Sequence, residues 1–233
     1  MTLRGFVRST LQRMGLLGPA RSALGRAASS LTAMRFPTFD AGIQRAAIET
    51  ADYARYASLA LAIRRVEEEG IPGAFAEVGV YQGATSRFLM RCAPGRKLYL
   101  FDTFEGFPLE DREPANRDDA RFRDTSPERV RRALGASDNV VIRQGRFPET
   151  AAGLEAERFA FVLLDLDVYA PTLAGLRFFY PRLSPGGYLF VHDFNSPESN
   201  QACRRAATEY MVDKPEKLVE LPDVWGSVVI RKS

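Results

Sequence analysis

The sequence contains few of the residues on which disulfide frameworks and cysteine–histidine metal centres depend. Its 233 residues include two cysteines, Cys92 and Cys203, and one histidine, His192. Because the two cysteines lie far apart in the chain, we expect neither a disulfide framework nor a cysteine metal site, and this composition fits a reducing cytoplasm. Any imidazole chemistry has to come from His192.

Long apolar runs and a strong charge of either sign are also absent. No run of about 18 apolar residues occurs, so we expect no transmembrane helix. The apolar core of a secretory signal, roughly 7 to 15 residues long, is missing as well. The formal net charge is +3 and basic residues are spread along the chain, which indicates no nucleic-acid partner.

The first 39 residues differ from the rest because they contain six arginines and no acidic residue. Apolar residues recur at roughly helical spacing from Leu3 to Leu17, so this basic tail has the pattern of an amphipathic helix. Such a segment can make weak contact with an anionic membrane surface or an acidic partner. A loosely docked, arginine-rich tail is the alternative that we favour. We expect residues 40–233 to form one domain, and the N-terminal helices to support a homo-oligomer.

The central motif lies between Phe75 and Ser86. It reads as an apolar strand that ends in the acidic residue Glu77, then a turn with Gly79 and Gly83, then a helix. The first N–H groups of that helix and its positive dipole end face back toward the turn. A second apolar strand ends at Asp102, and an acid about 20 residues beyond such a turn can accept hydrogen bonds from ribose hydroxyls.

The glycine spacing of this motif differs from that of dinucleotide-binding folds. Those folds use G-x-G-x-x-G because the backbone must approach a pyrophosphate, whereas Tyr81 stands here in place of the middle glycine. A carboxylate before the turn favours a cationic, phosphate-free nucleoside such as S-adenosylmethionine. Glycines that serve only packing are the alternative.

Predicted strands and helices alternate along the rest of the chain. The further strands are predicted at 140–145, 159–164, 188–191 and 227–231. The helices are predicted at 40–69 with a break near residue 52, at 84–92, from 126–127 onward, in a short segment ending at 157, at 171–180 and at 199–212, with a turn at 183–187. This alternation is typical of a doubly wound, mostly parallel α/β sheet, so we expect a Rossmann-like fold.

A long polar stretch follows the second strand and predicts a lid at about 104–127. Loops of this length inside a compact domain are usually functional or disordered, and this one leaves the carboxyl end of a strand, where ligands bind in open α/β sheets. Phe104, Phe107 and Phe122 are its candidate apolar contacts. A mobile insertion without substrate contact is the alternative.

Polar residues accompany the carboxyl ends of the predicted strands. Glu77, Asp102, Asp165 and the pair His192-Asp193 all occupy such positions. Because the carboxyl ends of parallel strands meet at one edge of the sheet, we expect these side chains to surround one ligand crevice.

Asp165, His192 and Asp193 form a candidate ligand set for one divalent cation. Carboxylates suit Mg²⁺ or Mn²⁺, and an imidazole shifts the preference toward Mn²⁺, Fe²⁺ or Zn²⁺. Such an ion would hold an acceptor hydroxyl and lower its pKa. His192 can instead be the general base, or it can bind the adjacent loop and do no chemistry. The sequence leaves these three roles open.

Two other functions also fit parts of this residue pattern. Asp165 and Asp167 form a D-x-D pair, which a metal-dependent sugar-nucleotide transferase would use with Mn²⁺. Successive side chains of an extended strand point to opposite faces, so that function needs a bend between the two acids. The other alternative is a non-catalytic scaffold that keeps the fold and binds a protein through the basic tail.

Six segments, in order, resemble the TylF/MycF/NovP-like O-methyltransferases, a class I S-adenosylmethionine-dependent family. The segments are AEVGVYQG at 76–83, LYLFDTFEGF at 98–107, GRFPET at 145–150, FAFVLLDLDVY at 159–169, FYPRLSPGGY at 179–188 and VHDF at 191–194. The resemblance covers about residues 54–210 and leaves out the basic tail.

This resemblance implies a seven-stranded methyltransferase sheet that binds S-adenosylmethionine and methylates a hydroxyl of a small-molecule or glycan acceptor. Members of the family bind Mg²⁺ through an earlier Asp and an Asp-Asp pair after the fifth strand, where this chain has His192-Asp193. The resemblance thus implies Asp165, His192 and Asp193 as the candidate ligands of Mg²⁺ or Mn²⁺, and Asp165 and His192 as the catalytic candidates. The expected cofactor contacts are Glu77, Gly79, Tyr81, Gly83, Asp102, Thr103, Gly145 and Asp165.

Overall fold

The computed structural model describes residues 23–24, 26–27, 39–50, 52–112, 118–135 and 137–233. The chain divides after Ala57 into two compact units, Met1–Ala57 and Ser58–Ser233. Most of the predicted basic tail lies outside the described residues, so its boundary at residue 39 stays a prediction. None of the helices in the described ranges is long and apolar enough to cross a membrane.

Between residue 39 and the sheet the described residues form two helices, as predicted. Helix α1 spans Ala41–Glu49, and α2 spans Tyr53–Glu68. The Asp40 carboxylate begins α1 by accepting hydrogen bonds from the N–H groups of Gly42 and Ile43, each at 2.9 Å. Such a side-chain cap satisfies N–H groups that have no partner inside the helix.

The second unit is built on a seven-stranded sheet with the order β3-β2-β1-β4-β5-β7-β6. Strands β1 to β5 are parallel, and β7 pairs antiparallel with both β5 and β6. The strands are β1 Ala74–Val78, β2 Leu98–Asp102, β3 Val140–Gln144, β4 Phe159–Leu164, β5 Leu183–Val191, β6 Val219–Leu221 and β7 Ser227–Arg231. The doubly wound, mostly parallel α/β fold predicted from the sequence is therefore confirmed.

Four helices follow the strands along the chain: α3 Ala84–Cys92, α4 Pro127–Leu134, α5 Tyr169–Phe179 and α6 Ala202–Met211. Strand β4 is apolar throughout and every one of its residues is buried. This pattern is typical of a parallel strand that is covered on both faces. Phe179 of α5 packs edge-on against Phe159 of β4, with ring centroids 4.9 Å apart, and stacks on Phe147 at 5.5 Å. This aromatic core holds α5 against the sheet, and so fixes the loop between β4 and α5.

Strand β1 lies between β2 and β4, which is where the strand order reverses. In open α/β sheets the loops that leave the strands at such a point diverge to opposite faces, and the crevice between them binds the ligand. The loops after β1, β2, β4 and β5 therefore border the expected site.

Several local predictions were wrong. The turn predicted at 183–187 lies inside β5, because the pairing with β4 shifts register between Phe159 and Phe161 and a bulge absorbs the extra residues. Gly187 permits this, since a Cβ there would lie 2.9 Å from the carbonyl oxygen of Ala160. The short helix expected to reach residue 157 is a single 3₁₀ turn, Glu149–Ala151. Strand β6 was not predicted.

Candidate active site

The glycine turn after β1 brings the backbones of two strands into direct contact. Gly79 has φ +90°, and a Cβ on it would lie 1.9 Å from the carbonyl oxygen of Asp165, at the end of β4. Gly83 begins α3 with φ +78°. No other residue fits at Gly79, because the obstructing atom is backbone. The predicted requirement for glycine at the turn is thus met on geometric grounds.

Asp102 joins the loop after β2 to this glycine turn. Its Oδ2 atom accepts hydrogen bonds from the N–H groups of Val80 at 2.7 Å and Tyr81 at 2.8 Å. Its Oδ1 atom accepts from the N–H group of Phe104 at 2.7 Å. A carboxylate offers about four lone-pair sites, so Asp102 keeps capacity for a ligand hydroxyl while it fixes both loops.

Glu77 lies within β1, one residue before its end, and is 1% exposed. It accepts a hydrogen bond from the hydroxyl of Ser86 in α3. An ionised carboxylate at this depth needs such donors to offset its lost hydration. Ser86 thereby ties the first helix of the motif to its first strand, a role that the sequence analysis did not assign to it.

The remaining predicted cofactor residues lie beside Asp102. The N–H group of Gly145, just after β3, donates to the carbonyl oxygen of Asp102 at 2.9 Å. The hydroxyl of Thr103 donates to the carbonyl oxygen of Gly106 at 2.7 Å and so closes its own loop. The structure therefore gathers Gly79, Asp102, Thr103 and Gly145 at one edge of the sheet.

The candidate metal residues also meet. The Nδ1 atom of His192 lies 3.1 Å from Oδ1 of Asp165 and 2.8 Å from Oδ2 of Asp193. One ligand atom from each of these three residues lies within 4.8 Å of the other two. Two oxygens and one nitrogen at these spacings fit a divalent cation such as Mn²⁺. The same distances fit hydrogen bonds that orient the imidazole ring.

Asp167 joins this group, although the sequence analysis named it only in the D-x-D pair of the alternative transferase. It has φ +59°, a left-handed conformation that Asp tolerates better than most residues, so the chain bends between Asp165 and Asp167. Burial, and then the charges of Asp193 and Asp165, raise the pKa of Asp167 to about 8, although Arg121 and His192 oppose the shift. Four acidic or imidazole side chains therefore share one electrostatic environment.

The predicted lid contacts the turn between β1 and α3, at the same edge of the sheet. The hydroxyl of Tyr81 donates to Oδ1 of Asp124 at 2.7 Å. The ring of Phe122 packs edge-on against Tyr81 at 5.1 Å and against Phe107 at 5.4 Å. Phe104 is buried. Residues 113–117 of the predicted lid lie outside the described residues.

Comparison with known proteins points to one family. The family model described as macrocin-O-methyltransferase (TylF) matches residues 35–225. The chain is 30% identical over 172 residues to the 8-demethyl-8-(2,3-dimethoxy-alpha-L-rhamnosyl)-tetracenomycin-C 4'-O-methyltransferase of Streptomyces olivaceus. The aligned residues cover 67% of this chain and 64% of that protein. It is 31% identical over 160 residues to the mycinamicin III 3''-O-methyltransferase of Micromonospora griseorubida, covering 61% of each.

A solved structure gives the same indication. The O-methyltransferase NovP superposes with a TM-score of 0.65 at 26% identity, over 78% of this chain and 80% of that one. The chain spans a little under two thirds of the length of the curated relatives it matches.

Proposed function

The chain belongs to the macrocin-O-methyltransferase (TylF) family, and from this membership we propose that it transfers a methyl group from S-adenosylmethionine to a hydroxyl. The acceptor that we propose is a sugar, a glycosylated metabolite or a polysaccharide. The name of the Streptomyces olivaceus relative places its methyl group on a rhamnosyl-bearing tetracenomycin, which supports this class of acceptor.

The observation that carries the choice of cofactor is the use of the N–H groups in the glycine turn. In a pyrophosphate site such N–H groups point at the ligand. Here the N–H groups of Val80 and Tyr81 donate to the Asp102 carboxylate instead. An anionic phosphate beside that carboxylate would be repelled, whereas ribose hydroxyls and a sulfonium would be attracted. The arrangement supports S-adenosylmethionine and argues against a sugar-nucleotide donor.

Methyl transfer requires the acceptor oxygen in line with the sulfur–methyl bond, about 3 Å from the methyl carbon. The residues available to orient and deprotonate that oxygen are Asp165, Asp167, His192 and Asp193. The two carboxylates that contact Nδ1 of His192 hold its ring in place, so a general base at this residue would act through Nε2. Asp165 would then position the acceptor.

Asp165, His192 and Asp193 would hold a divalent cation, and we propose that they do. When bound, the ion would lower the pKa of the acceptor hydroxyl. The two roles of His192 can be distinguished. If His192 binds the metal, its removal should release Mn²⁺; if it acts only as a base, its removal should not. The cytoplasmic location and the homo-oligomer expected from the sequence stay predictions.

Calorimetry with S-adenosylhomocysteine tests the proposed cofactor. We expect the wild-type chain to bind it in the micromolar range, and Asp102→Ala to abolish binding. Asp138→Ala, at an exposed residue before β3, is the matched control and should bind like wild type. Circular dichroism of each variant separates lost binding from lost folding. Wild-type protein that binds a nucleoside diphosphate sugar but not S-adenosylhomocysteine would contradict the proposal.

A further inference from the structure

One arginine links the part of the predicted lid that leads back to α4, residues 118–126, to two other segments of the chain. We call these residues the return segment. Within it, the guanidinium of Arg121 binds Oδ2 of Asp119 at 2.8 Å. Outside it, the same guanidinium contacts Glu198, in the segment after β5, at 2.9 Å, and Asp167, after β4, at 3.9 Å. One side chain thus joins three segments of the chain at the carboxyl edge of the sheet.

Two aromatic rings lie beside this guanidinium. It lies 5.1 Å from the ring centroid of Phe122 and 5.8 Å from that of Phe107. Close backbone packing accompanies these contacts, since a Cβ on Gly106 would lie 2.6 Å from the carbonyl oxygen of Arg121. A flat, forked group can stack and bind carboxylates at the same time, which an ammonium group cannot do as well.

The opposite side of the return segment is attached to the glycine turn after β1. Tyr81 and Gln82 both contact the carboxylate of Asp124, at 2.7 and 2.9 Å. The hydroxyl of Thr125 donates to the carbonyl oxygen of Tyr81. The segment therefore runs from the loop after β1 to the loops after β4 and β5, which is across the mouth of the proposed cofactor site.

The two ends of the predicted lid differ in how firmly they are held. At the end near β2, Asp111 has a side chain only 1% exposed and forms a two-point ion pair with Arg146 at 2.6 and 2.9 Å. Arg121 has a side chain 38% exposed, and its partner Glu198 is 49% exposed. Ion pairs of the second kind are weak one by one, so the contact between Arg121 and Glu198 can open at a modest cost in free energy.

We propose that Arg121 is a positioning residue that keeps the return segment closed over bound S-adenosylmethionine and sets how fast the spent cofactor leaves. This inference rests on the proposed function, because it takes the crevice to be the cofactor site. Closure of such segments shields the reacting groups from water, and their opening often limits product release. Removing the guanidinium would also leave the carboxylates of Asp119 and Glu198 without the positive charge that they share.

Two measurements test this role in Arg121→Gln, Arg121→Lys and the control Arg123→Gln. Arg123 is exposed in the same segment, so its replacement removes the same charge. The first measurement is hydrogen exchange of residues 118–126 without cofactor, read by mass spectrometry. The second is the rate of association and dissociation of S-adenosylhomocysteine by stopped flow.

We expect Arg121→Gln to speed both exchange and dissociation by about fivefold, the upper end for partly exposed ion pairs, with the association rate within about twofold of wild type. The rates of Arg121→Lys should fall between those of wild type and Arg121→Gln, and Arg123→Gln should match wild type.

If the Gln variant does not fold, the Lys variant gives the same readouts at smaller amplitude. Exchange in both Arg121 variants equal to wild type would overturn the inference. Failure of wild type to bind S-adenosylhomocysteine would defeat the proposed function instead, and the exchange experiment would still decide whether Arg121 holds the segment.

Discussion

The carboxylate of Asp102 lies 2.8 Å from the backbone nitrogen of Tyr81, so the end of β2 and the turn after β1 form one hydrogen-bonded unit. Tyr81 has φ +50°, a left-handed conformation that costs free energy in a residue with a side chain. The hydrogen bond helps to offset that cost. The proposed ligand site and the turn after β1 therefore share the same carboxylate.

Asp102→Asn tests this dual role more finely than removal of the side chain. Asn keeps one acceptor oxygen, but its NH₂ group faces either Phe104 or the N–H groups of Val80 and Tyr81, which leaves a donor without an acceptor. We expect the free energy of unfolding in urea to fall by about 1–3 kcal/mol. We also expect affinity for S-adenosylhomocysteine to fall at least about tenfold. Unchanged affinity would contradict a contact between Asp102 and the ligand.

Gly79→Ala should be among the most damaging single changes in the chain. The new Cβ would lie 1.9 Å from the carbonyl oxygen of Asp165, so two strands of the sheet would have to move apart. We expect a loss of about 3 kcal/mol or more in unfolding free energy. Gly70→Ala is the control, because Gly70 has a similar positive φ but nothing within 4 Å of the added Cβ, and it should cost about 1–2 kcal/mol. Equal losses in the two variants would contradict the argument.

Glu216→Gln should weaken the protein in a pH-dependent way. Burial raises the pKa of Glu216, but hydrogen bonds from Tyr180 and Ser233 outweigh this effect and lower the pKa well below its usual range. A carboxyl with a lowered folded pKa adds stability above its unfolded pKa, about 4.3, and loses it as the pH falls toward the folded pKa.

We therefore expect Glu216→Gln to lower the unfolding free energy by about 1–3 kcal/mol at pH 7, with a smaller difference from wild type at pH 3.5. Urea unfolding at both pH values measures this difference. Glu68→Gln, at an ion pair with the Glu68 side chain 53% exposed, should change stability little at either pH. A difference for Glu216 that stays constant between the two pH values would count against the lowered pKa.

The proposed metal site predicts that the chain retains Mn²⁺ and binds it more tightly than Mg²⁺, since an imidazole nitrogen favours the softer ion. Electron paramagnetic resonance of free Mn²⁺ during titration measures this binding directly, without need of an acceptor. Asp165→Asn and His192→Ala should each weaken binding about tenfold or more, and Asp138→Asn should not. If His192→Ala retains Mn²⁺ like wild type but is inactive, His192 is the base and not a ligand.

The sequence alone determined those parts of the protein that depend on local patterns. The unbroken apolar run from Phe159 to Leu164 predicted a buried parallel strand, and the structure has β4 at those residues. Ser126 and Pro127 predicted the start of a helix, and Ser126 caps α4 by accepting from the N–H group of Arg129 at 3.1 Å. An apolar run and a helix cap each depend on residues close together in the sequence, so the sequence predicts them directly.

Tertiary structure alone decided which distant groups meet. Asp167 itself is left-handed and bends the chain after Asp165. Gly186 and Gly187 let β5 continue where a turn was predicted. Arg121 contacts acidic residues from three segments. None of these follows from residue type or spacing, because each local conformation is stabilised by contacts with partners elsewhere in the chain. The sequence thus placed the acids at the strand ends, and the packing of the loops decided which of them share one site.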